Sequence, residues 1–413
     1  MQLIVIGGGV GGLAIALAAR KRGLDVVVLE QAPALAAVGA GIQLSPNATR
    51  VLRWLDALPA VEAVAVKPAT HCFRTYDTGE TLLETPLMPA VAERFGAPYM
   101  HAHRADLLDA LLTEVRDGDL RLDARVEAVE AGDDNVEVRL ASGETIRGDV
   151  LIGADGIHSL VRDRLFRPDP PRRSGCTAWR GLIPRAAAEA LGVERKSYIW
   201  MGPDRSLVVY YVSGADKLNW VGLTPFDPDA VESWSATATT DALLAQYAGW
   251  HEQAVGLLSA TERPFRTVVM DREPLPEWTQ GRVALLGDAA HAMLPYHAQG
   301  AAQTIEDAWV LVRCLEMGGD DVPAALRRYQ DLRWDRATTV QRQSREAERL
   351  FHLSDPDQVE RRNARMRGRG SEAGGFTPGQ VWLFGYDAEK AVAGDDADWQ
   401  KLSWSGAPAG SAA

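Results

Sequence analysis

The segment Leu3-Ile-Val-Ile-Gly-Gly-Gly-Val-Gly-Gly12 decides the fold, because an apolar run passes directly into closely spaced glycines. A short run such as Leu3–Ile6 is typical of a buried parallel strand. Gly7, Gly9 and Gly12 have the spacing that permits a tight turn, close approach of the backbone to a pyrophosphate, and close helix packing. The segment therefore predicts a strand, a phosphate-binding turn and a helix.

The residues that follow complete a βαβ unit. Apolar residues at helical spacing predict a helix over 10–22, Gly23 ends it, and 25–29 is predicted to be the next strand. Glu30 follows that strand, 23 residues after Gly7. A carboxylate there suits a ribose contact, because it accepts hydrogen bonds from the diol. Together these features predict dinucleotide binding, but they do not separate FAD from NAD.

Two later segments repeat the pattern of an apolar strand that ends in a glycine-containing turn. The first is Asp149-Val-Leu-Ile-Gly-Ala-Asp-Gly-Ile-His-Ser159, with Asp155 in the turn. The second is Arg282-Val-Ala-Leu-Leu-Gly-Asp-Ala-Ala-His291, whose strand ends at Gly287-Asp288. Turns of this kind present side chains at the carboxyl edge of a sheet. The chain is therefore predicted to return to one sheet.

Composition places the chain among ordinary globular proteins. It has 413 residues, 46% of them hydrophobic and 24% charged. Single cores stop growing at roughly 250 to 300 residues, so two domains are expected. The net charge of −12 disfavours nucleic acid and anionic membranes as partners.

Several features of the sequence bear on the compartment and on metals. No membrane-length apolar run or basic leader is evident, which predicts a cytoplasmic protein without a membrane partner. The three cysteines lie far apart, and the eight histidines show no ligand spacing. We therefore predict neither a disulfide framework nor a metal site. Oligomeric state is left open, a homodimer included.

The joint occurrence of three motifs in this order resembles the class A flavoprotein aromatic hydroxylases, a group that includes salicylate, hydroxybenzoate and hydroxynicotinate hydroxylases. The resemblance covers about residues 1 to 390. The glycine motif resembles the family's FAD pyrophosphate motif, the segment 153–159 its "DG" motif, and the segment 287–295 its "GD" motif. The segment His103-Arg-Ala-Asp-Leu107 resembles the one that supplies an FAD-contacting arginine.

The resemblance implies an FAD-dependent monooxygenase that uses NAD(P)H and dioxygen to hydroxylate a small aromatic compound through a C4a-hydroperoxyflavin. The substrate would be similar to a hydroxybenzoate, a salicylate or a hydroxypyridine. The family's pattern assigns an FAD ribose contact to Asp288 and both FAD and NAD(P)H contacts to Asp155. The full predicted cofactor-binding set is Gly7, Gly9, Gly12, Glu30, Arg104, Asp155, Gly287, Asp288, Pro295 and Gly300.

The predicted fold class is α/β, with a Rossmann-like FAD-binding domain interleaved with an antiparallel-sheet substrate domain, plus C-terminal helices. Residues 176–224 are rich in Trp, Tyr and Val between turn signals, which predicts the antiparallel sheet. Residues 361–375 are predicted to be a loop and 406–413 a disordered tail. The predicted boundaries are 1–71, 101–170 and 271–320 for the FAD-binding domain, 72–100 and 171–270 for the substrate domain, and 321–413 for the C-terminal helical segment and tail.

The candidate catalytic residues are Tyr296, His297 and Tyr211. Tyr296 and His297 follow the GD-motif proline, where the family places residues beside flavin and substrate, while Tyr211 lies on the predicted sheet. In some relatives a histidine precedes the sheet tyrosine by four residues; here that position holds Leu207, so the base remains unassigned. Arg180 suits a substrate carboxylate, although its Arg-Gly pair in the family looks structural.

Three alternatives remain open. A nicotinamide-only dehydrogenase explains the glycine motif but leaves the GD motif without a purpose. A non-catalytic FAD-fold binding protein has no need of the DG and GD pair. Within the enzymes, the alternative is a flavin monooxygenase that acts on a larger natural-product aromatic or an indole.

Overall fold

The computed structural model describes residues 1–35, 40–167, 169–228, 238–369 and 375–405. The predicted tail, 406–413, lies outside the described residues. The strands are β1 (Gln2–Ile6), β2 (Asp25–Leu29), β3 (Gly41–Leu44), β4 (Thr70–Thr75), β5 (Thr81–Pro86), β6 (Met100–His103), β7 (Leu120–Arg121), β8 (Val126–Ala131), β9 (Val136–Leu140), β10 (Thr145–Gly148), β11 (Val150–Gly153), β12 (Arg172–Pro184), β13 (Ser197–Gly202), β14 (Arg205–Val212), β15 (Lys217–Pro225), β16 (Phe265–Asp271), β17 (Thr279–Gln280) and β18 (Val283–Leu285).

The helices are distributed along the whole chain and become dominant after residue 300. They are α1 (Val10–Lys21), α2 (Pro46–Trp54), α3 (Leu58–Val64), α4 (Ala90–Phe95), α5 (Arg104–Leu112), α6 (Leu160–Leu165), α7 (Arg185–Ala190), α8 (Thr240–Gln246), α9 (Glu252–Ser259), α10 (Asp288–His291), α11 (Gly300–Gly318), α12 (Val322–Phe351), α13 (Pro356–Arg369), α14 (Pro378–Phe384), α15 (Ala388–Ala393) and α16 (Ala397–Gln400). Single 3₁₀ turns span Ser213–Ala215 and Pro295–His297.

A six-stranded sheet with the order β17-β18-β11-β1-β2-β7 carries the three glycine-containing turns. Strand β1 pairs in parallel with β2 and β11, and β11 pairs in parallel with β18. The strands are apolar because helices cover both faces of such a sheet. Parallel pairing brings the carboxyl ends of β1, β11 and β18 to one edge, so the three turns meet there, as predicted.

A seven-stranded sheet with the order β16-β12-β15-β14-β13-β4-β5 forms the second layer. Its pairs are antiparallel except for β13 with β4. Residues 87–171 separate β5 from β12 and contain strands of the first sheet, so the two layers are interleaved along the sequence. The predicted α/β fold class with its antiparallel sheet is confirmed.

Helix α12 connects the two layers. Near its first half the Tyr329 hydroxyl donates to the Leu285 carbonyl of β18 at 3.0 Å. At its C-terminal end His352 Nε2 lies 3.0 Å from Ser206 Oγ of β14. The helix has 30 residues, so it is about 45 Å long and holds both sheets at once.

One local prediction is wrong: residues 361–369 belong to helix α13 rather than to a loop. Arginine is a good helix former, and Met366 is buried against the seven-stranded sheet, so packing supports the helix despite Gly368. Residues 370–374 of the predicted loop lie outside the described residues. Among the described residues, no helix is long and apolar enough to cross a membrane.

Candidate active site

A cavity of about 910 Å³ is lined by residues of both sheets and of the C-terminal helices. On the side of the six-stranded sheet, its wall contains the turn 9–11, Arg104, and the region 293–301. Met366 and Trp404 are among the wall residues from the C-terminal part. The cavity is therefore positioned where the three glycine-containing turns meet the antiparallel sheet.

Two helices direct their N-terminal ends at this cavity. Helix α1 begins at Val10 and helix α11 at Gly300, and both residues line the wall. The first turns of these helices read Val-Gly-Gly-Leu and Gly-Ala-Ala-Gln, without an acidic side chain. Helix N-termini carry partial positive charge and unpaired N–H groups, so both ends favour a negatively charged ligand.

The first glycine turn is shaped by its neighbours. Gly7 has a φ of +108°, in the region that favours glycine, and a Cβ on Gly12 would lie 1.9 Å from the Gly7 carbonyl oxygen. The Glu30 carboxylate accepts a hydrogen bond from the Gly8 N–H at 2.7 Å. Gly9 is the motif residue in the cavity wall, and a Cβ there would meet nothing within 4 Å. The turn thus leaves open space beside Gly9.

The second turn, at Gly287-Asp288, is tightly held. A Cβ on Gly287, whose φ is +60°, would lie 2.6 Å from Thr304 Oγ1. The Gly287 N–H donates to Asp307 Oδ2 at 3.2 Å, and His291 Nε2 lies 2.6 Å from the same oxygen. Gly287, Asp288 and Thr304 all line the cavity. His291 therefore braces the turn that presents Asp288.

A buried ion cluster lies behind this turn and consists of Glu306, Asp307, Arg333 and Arg336, each at most 2% exposed. Arg333 Nε donates to Asp307 at 2.7 Å, and Arg336 Nε donates to Glu306 at 2.7 Å. Burial alone would raise the pKa of both carboxyl groups, but the arginines and, for Asp307, His291 lower it. The cluster therefore keeps its charges and fixes the start of α11.

The third turn contains Asp155, which acts as a helix cap. Its carboxylate accepts hydrogen bonds from the N–H groups of Leu160 at 2.7 Å and Val161 at 3.2 Å. Burial raises the pKa of Asp155 against these bonds. The adjacent residues Ala154 and Gly156 line the cavity, so Asp155 orients the turn beside it.

The inner end of the cavity is formed by polar groups on the seven-stranded sheet and by Tyr99. His71, Tyr99, Arg180 and Tyr210 all line the wall. The Tyr99 hydroxyl donates to Gln43 Oε1 at 2.6 Å, and the Tyr99 ring meets His71 edge-on at 5.2 Å. Desolvation lowers the pKa of Arg180 to about 10 and that of His71 to about 4. At neutral pH this end therefore presents a guanidinium cation and a neutral imidazole.

Tyr296 and His297 also line the cavity wall. The Tyr296 hydroxyl lies 3.4 Å from Glu348 Oε1 and 3.8 Å from Cys176 Sγ, so it points into a polar cluster. Burial raises the pKa of Tyr296 and of Glu348, and it raises the pKa of the Cys176 thiol to about 12. All three are therefore stabilised in their neutral forms.

His297 is held from two sides. Its Nε2 lies 3.1 Å from the Gln343 carbonyl oxygen, and its ring centroid is 4.9 Å from that of Trp404. Burial lowers the pKa of His297 to about 4. The His297 imidazole is therefore neutral at neutral pH, and its contact with the Gln343 carbonyl fixes its orientation in the cavity wall.

The predicted substrate-facing role of Tyr211 requires correction. Its hydroxyl donates to the Val193 carbonyl at 3.0 Å, and its side chain packs in a separate hydrophobic cluster with Trp179 and Trp220. Successive side chains of a strand point to opposite faces, so the neighbouring Tyr210 of β14 faces the cavity instead.

Comparison with known proteins identifies the family. The model of the FAD binding domain family matches residues 1–344. A 3-amino-4-hydroxybenzoate 2-monooxygenase of Streptomyces platensis is 38% identical over 390 residues, which cover 94% of this chain and 96% of the relative. A 6-hydroxynicotinate 3-monooxygenase of Bordetella bronchiseptica is 33% identical over 398 residues, covering 95% and 97%. The solved structure of Klebsiella pneumoniae HpxO, complexed with FAD and uric acid, has a TM-score of 0.80 at 27% identity and coverages of 97% and 96%.

The chain belongs to the family of FAD-dependent aromatic monooxygenases. FAD, once reduced by NAD(P)H, the usual reductant in this family, activates dioxygen for transfer to an aromatic ring. The cavity fits this cofactor, because two helix N-termini and the space beside Gly9 suit its pyrophosphate. The Asp288 carboxylate, a hydrogen-bond acceptor, lies in the same wall.

Some wall residues of this flavin monooxygenase are absent from the sequence predictions. His71 lies on β4 and Tyr99 directly precedes β6, both outside the three motifs, and neither belongs to a recognisable pattern. The only local signal is the alternation along β4, where His71 and Phe73 share the cavity face. Six residues of the predicted cofactor-binding set line the cavity: Gly9, Arg104, Gly287, Asp288, Pro295 and Gly300. The other four, Gly7, Gly12, Glu30 and Asp155, are not among its wall residues in the described part of the chain.

Proposed function

We propose that this monooxygenase hydroxylates a small aromatic acid that carries a ring hydroxyl group. The observation that carries the proposal is the pair of polar groups at the inner end of the cavity, Arg180 and His71. Apolar side chains of Ile199, Val208 and Val221 surround them in the same wall. This combination suits a flat ring with one anionic and one hydroxyl substituent.

Arg180 is the proposed carboxylate contact. A guanidinium has five N–H donors, so it can hold a carboxylate through two of them and keep its contacts within the protein. Desolvation lowers the pKa of Arg180 to about 10, and Arg104 contributes in the same direction while Tyr210 opposes it. A charged group in such surroundings gains from an anionic partner, because the low dielectric strengthens their attraction.

His71 is the proposed hydroxyl contact. Among the described residues neither of its ring nitrogens has a hydrogen bond, and Nε2 is shielded from solvent. A neutral imidazole offers one N–H donor and one acceptor, and a ring hydroxyl matches either. Tyr99, its neighbour, already donates its proton to Gln43, so His71 is the group that needs a partner.

The names of the relatives support this substrate class. The Streptomyces platensis relative is named for a hydroxybenzoate that also bears an amino group, and the Bordetella bronchiseptica relative for a hydroxynicotinate. Both names describe an aromatic acid with a ring hydroxyl. A larger natural-product aromatic or an indole is the competing substrate class.

Catalytic roles are proposed for Tyr296 and His297, because both line the cavity and directly follow the GD-motif proline. The predicted cofactor-binding set and the predicted domain boundaries stay part of the proposal, with Gly7, Gly12, Glu30 and Asp155 acting through the shape of the turns. A homodimer and a cytoplasmic location stay predictions from the sequence.

The experiment that tests the proposal combines ligand and protein changes in the FAD-loaded enzyme. Substrate-stimulated NAD(P)H oxidation, with mass spectrometry for one added oxygen, is measured for hydroxybenzoates, neutral phenols, unhydroxylated benzoates, hydroxypyridines and indoles. Arg180→Met is expected to weaken binding of acids about 10- to 100-fold, since a charge-assisted hydrogen bond is lost, and to leave neutral phenols unaffected. Arg173→Met, an exposed arginine of the same strand, is the control.

His71→Leu is expected to reduce the preference for hydroxylated over unhydroxylated ligands about 5- to 100-fold, with or without a carboxylate. The two variants therefore report on different substituents of the ring. If indoles or larger aromatics are oxygenated and no aromatic acid is, the aromatic-acid proposal is wrong. Equal losses for all ligands would instead show that the variants disturb the cavity as a whole.

A further inference from the structure

We infer that an arginine cluster at the rim of the cavity, formed by Arg349, Arg365 and Arg369, binds the phosphate groups of the NAD(P)H reductant. All three residues line the cavity, and they come from the end of α12 and from α13. The inference rests on the family's use of NAD(P)H and does not depend on which aromatic ring is the substrate.

Residues 361–369 are positively charged, although the protein as a whole is negatively charged. The protein carries a net charge of −12, yet the stretch Arg361-Arg-Asn-Ala-Arg-Met-Arg-Gly-Arg369 contains five arginines and no acidic residue. A basic patch on an acidic protein creates a local positive potential, which raises the concentration of anions at that point. The patch therefore selects for a small anionic ligand rather than for a nucleic acid.

The arrangement within α13 costs stability in the absence of an anion. Arg361, Arg365 and Arg369 are spaced four residues apart, and so they lie on one face of the helix. Like charges at this spacing destabilise a helix. No ion pair of Arg365 or Arg369 occurs within the described residues. A phosphate bound between them would relieve this repulsion.

The packing of α13 fixes where these arginines stand. Arg362 Nη1 donates to the Leu350 carbonyl at 3.1 Å, which joins α13 to the end of α12. Met366 is buried in a hydrophobic cluster with Phe351. Arg367 donates to Glu80 at 2.9 Å and 3.0 Å on another side of the helix. Arg365 and Arg369 are left facing the cavity, whose wall also contains Arg349.

The rim also contains one acid. Glu346 lines the cavity and accepts hydrogen bonds from Arg349 Nε at 3.3 Å and Nη2 at 3.1 Å. This exposed pair is weak, and it leaves one nitrogen of Arg349 without a bond to Glu346. Three arginines against one carboxylate give the rim a net charge that matches a pyrophosphate.

The chemistry of the reductant matches this site. NAD(P)H carries a pyrophosphate at the centre of an extended molecule, and NADPH carries an additional phosphate. Arginine binds phosphate through paired N–H donors. With its phosphates at the rim, the dinucleotide would have its nicotinamide directed into the cavity, toward the wall formed by Tyr296 and His297. Weak, exposed contacts suit a co-substrate that must leave after each turnover.

The test measures equilibrium binding of NAD⁺ and NADP⁺ to the FAD-loaded protein by calorimetry, without any aromatic substrate. The double variant Arg365→Glu/Arg369→Glu is expected to raise the dissociation constant of the nucleotide about tenfold or more. Arg365→Lys/Arg369→Lys keeps the charges and is expected to retain most of the affinity. In anaerobic stopped-flow experiments, the apparent Kd for NAD(P)H should rise while the limiting rate of flavin reduction stays constant.

The matched control is Arg361→Glu, on the same face of α13 but one turn away from the cavity-lining arginines. It changes the charge by half as much as the double variant does, so a loss of binding free energy half as large in this control would overturn the inference in favour of a general electrostatic effect. An unchanged nucleotide Kd in the double variant would also overturn it. So would a selective loss of affinity for coenzyme A thioesters or other phosphorylated aromatics, because the occupant would then be a substrate.

Discussion

The buried ion cluster behind the Gly287 turn makes a sharp prediction for Arg333→Met. Arg333 is fully buried, and its guanidinium donates to Asp307 at 2.7 Å, to Gln303 Oε1 at 2.8 Å and to Glu306. Methionine keeps an unbranched apolar chain as far as the ε position but has neither the guanidinium group nor its charge. The substitution therefore leaves two buried carboxylates with one positive neighbour fewer, and it removes four hydrogen bonds, including one to the Gln303 carbonyl at 3.3 Å.

The expected decrease in the free energy of unfolding depends on the contacts that Glu306 and Asp307 keep in the variant. Removing one partner of a buried ion pair costs about 3 to 5 kcal/mol. Glu306 keeps both bonds to Arg336, at 2.7 and 2.8 Å, and Asp307 keeps His291 at 2.6 Å. The residual partners place the expected decrease in the free energy of unfolding at the lower end, about 3 kcal/mol.

The assay is urea unfolding of the holoenzyme at a fixed excess of FAD, followed by tryptophan fluorescence. FAD affinity is measured in parallel, because Asp307 also holds the Gly287 N–H at 3.2 Å, so a looser cluster should weaken the cofactor-binding turn. Arg185→Met, which breaks the exposed pair with Glu189 at 2.7 Å, is the control and should leave the free energy of unfolding nearly unchanged, because exposed ion pairs contribute little. A loss below about 1 kcal/mol for Arg333→Met would refute the reasoning.

Three further predictions follow from the site. Asp288→Ala should weaken FAD binding, because an acceptor for ribose hydroxyls is lost; full flavin content after dialysis would contradict the assignment. Tyr296→Phe should lower the fraction of NAD(P)H oxidation coupled to product, whereas Tyr211→Phe should leave it unchanged, and hydrogen peroxide release measures both. The pKa values of Glu306 and Asp307 are lower in the folded protein than their ordinary values of 4.5 and 3.8. These carboxylates therefore stabilise the fold at any pH above the ordinary values, and this stabilisation is lost as the pH falls through the lower pKa values of the folded protein. Between pH 6 and pH 3 the melting temperature of the wild-type protein should therefore fall more steeply than that of Arg333→Met. Equal slopes would contradict this prediction.

The contiguous features were predictable from the sequence. The strand, glycine turn, helix and Glu30 occur within one βαβ unit, so local spacing alone specifies them. The meeting of three turns at one sheet edge follows from parallel pairing, once each turn is recognised. Motifs whose chemistry depends on the backbone are therefore visible before the fold is known.

The choice between Tyr210 and Tyr211 shows where local patterns fail. Adjacent residues of a strand face opposite sides, so a prediction that is wrong by one residue selects the wrong face. The pairing of β14 with β15 sets Tyr210 opposite Asn219 and Tyr211 opposite Leu218. Only this pairing determines which face of the sheet each tyrosine side chain occupies. That register is a tertiary property and leaves no trace in a Tyr-Tyr pair.

The inner end of the cavity was not predictable for a related reason. His71 and Arg180 lie more than a hundred residues apart and on strands that are not hydrogen-bonded neighbours. Each residue alone resembles an ordinary strand residue. Their common role becomes visible only when the seven-stranded sheet is assembled and both side chains are found in one wall.

The span of α12 restricts how molecules reach the cavity. Helix α12 is hydrogen-bonded to Leu285 of one layer and, through His352, to Ser206 of the other. A hinge motion that separates the two layers would therefore have to break one of these hydrogen bonds. We therefore expect ligands to enter through local movements of the cavity wall and not through separation of the two layers. The rate of substrate binding should then be limited by local motions of the wall and not by a domain movement.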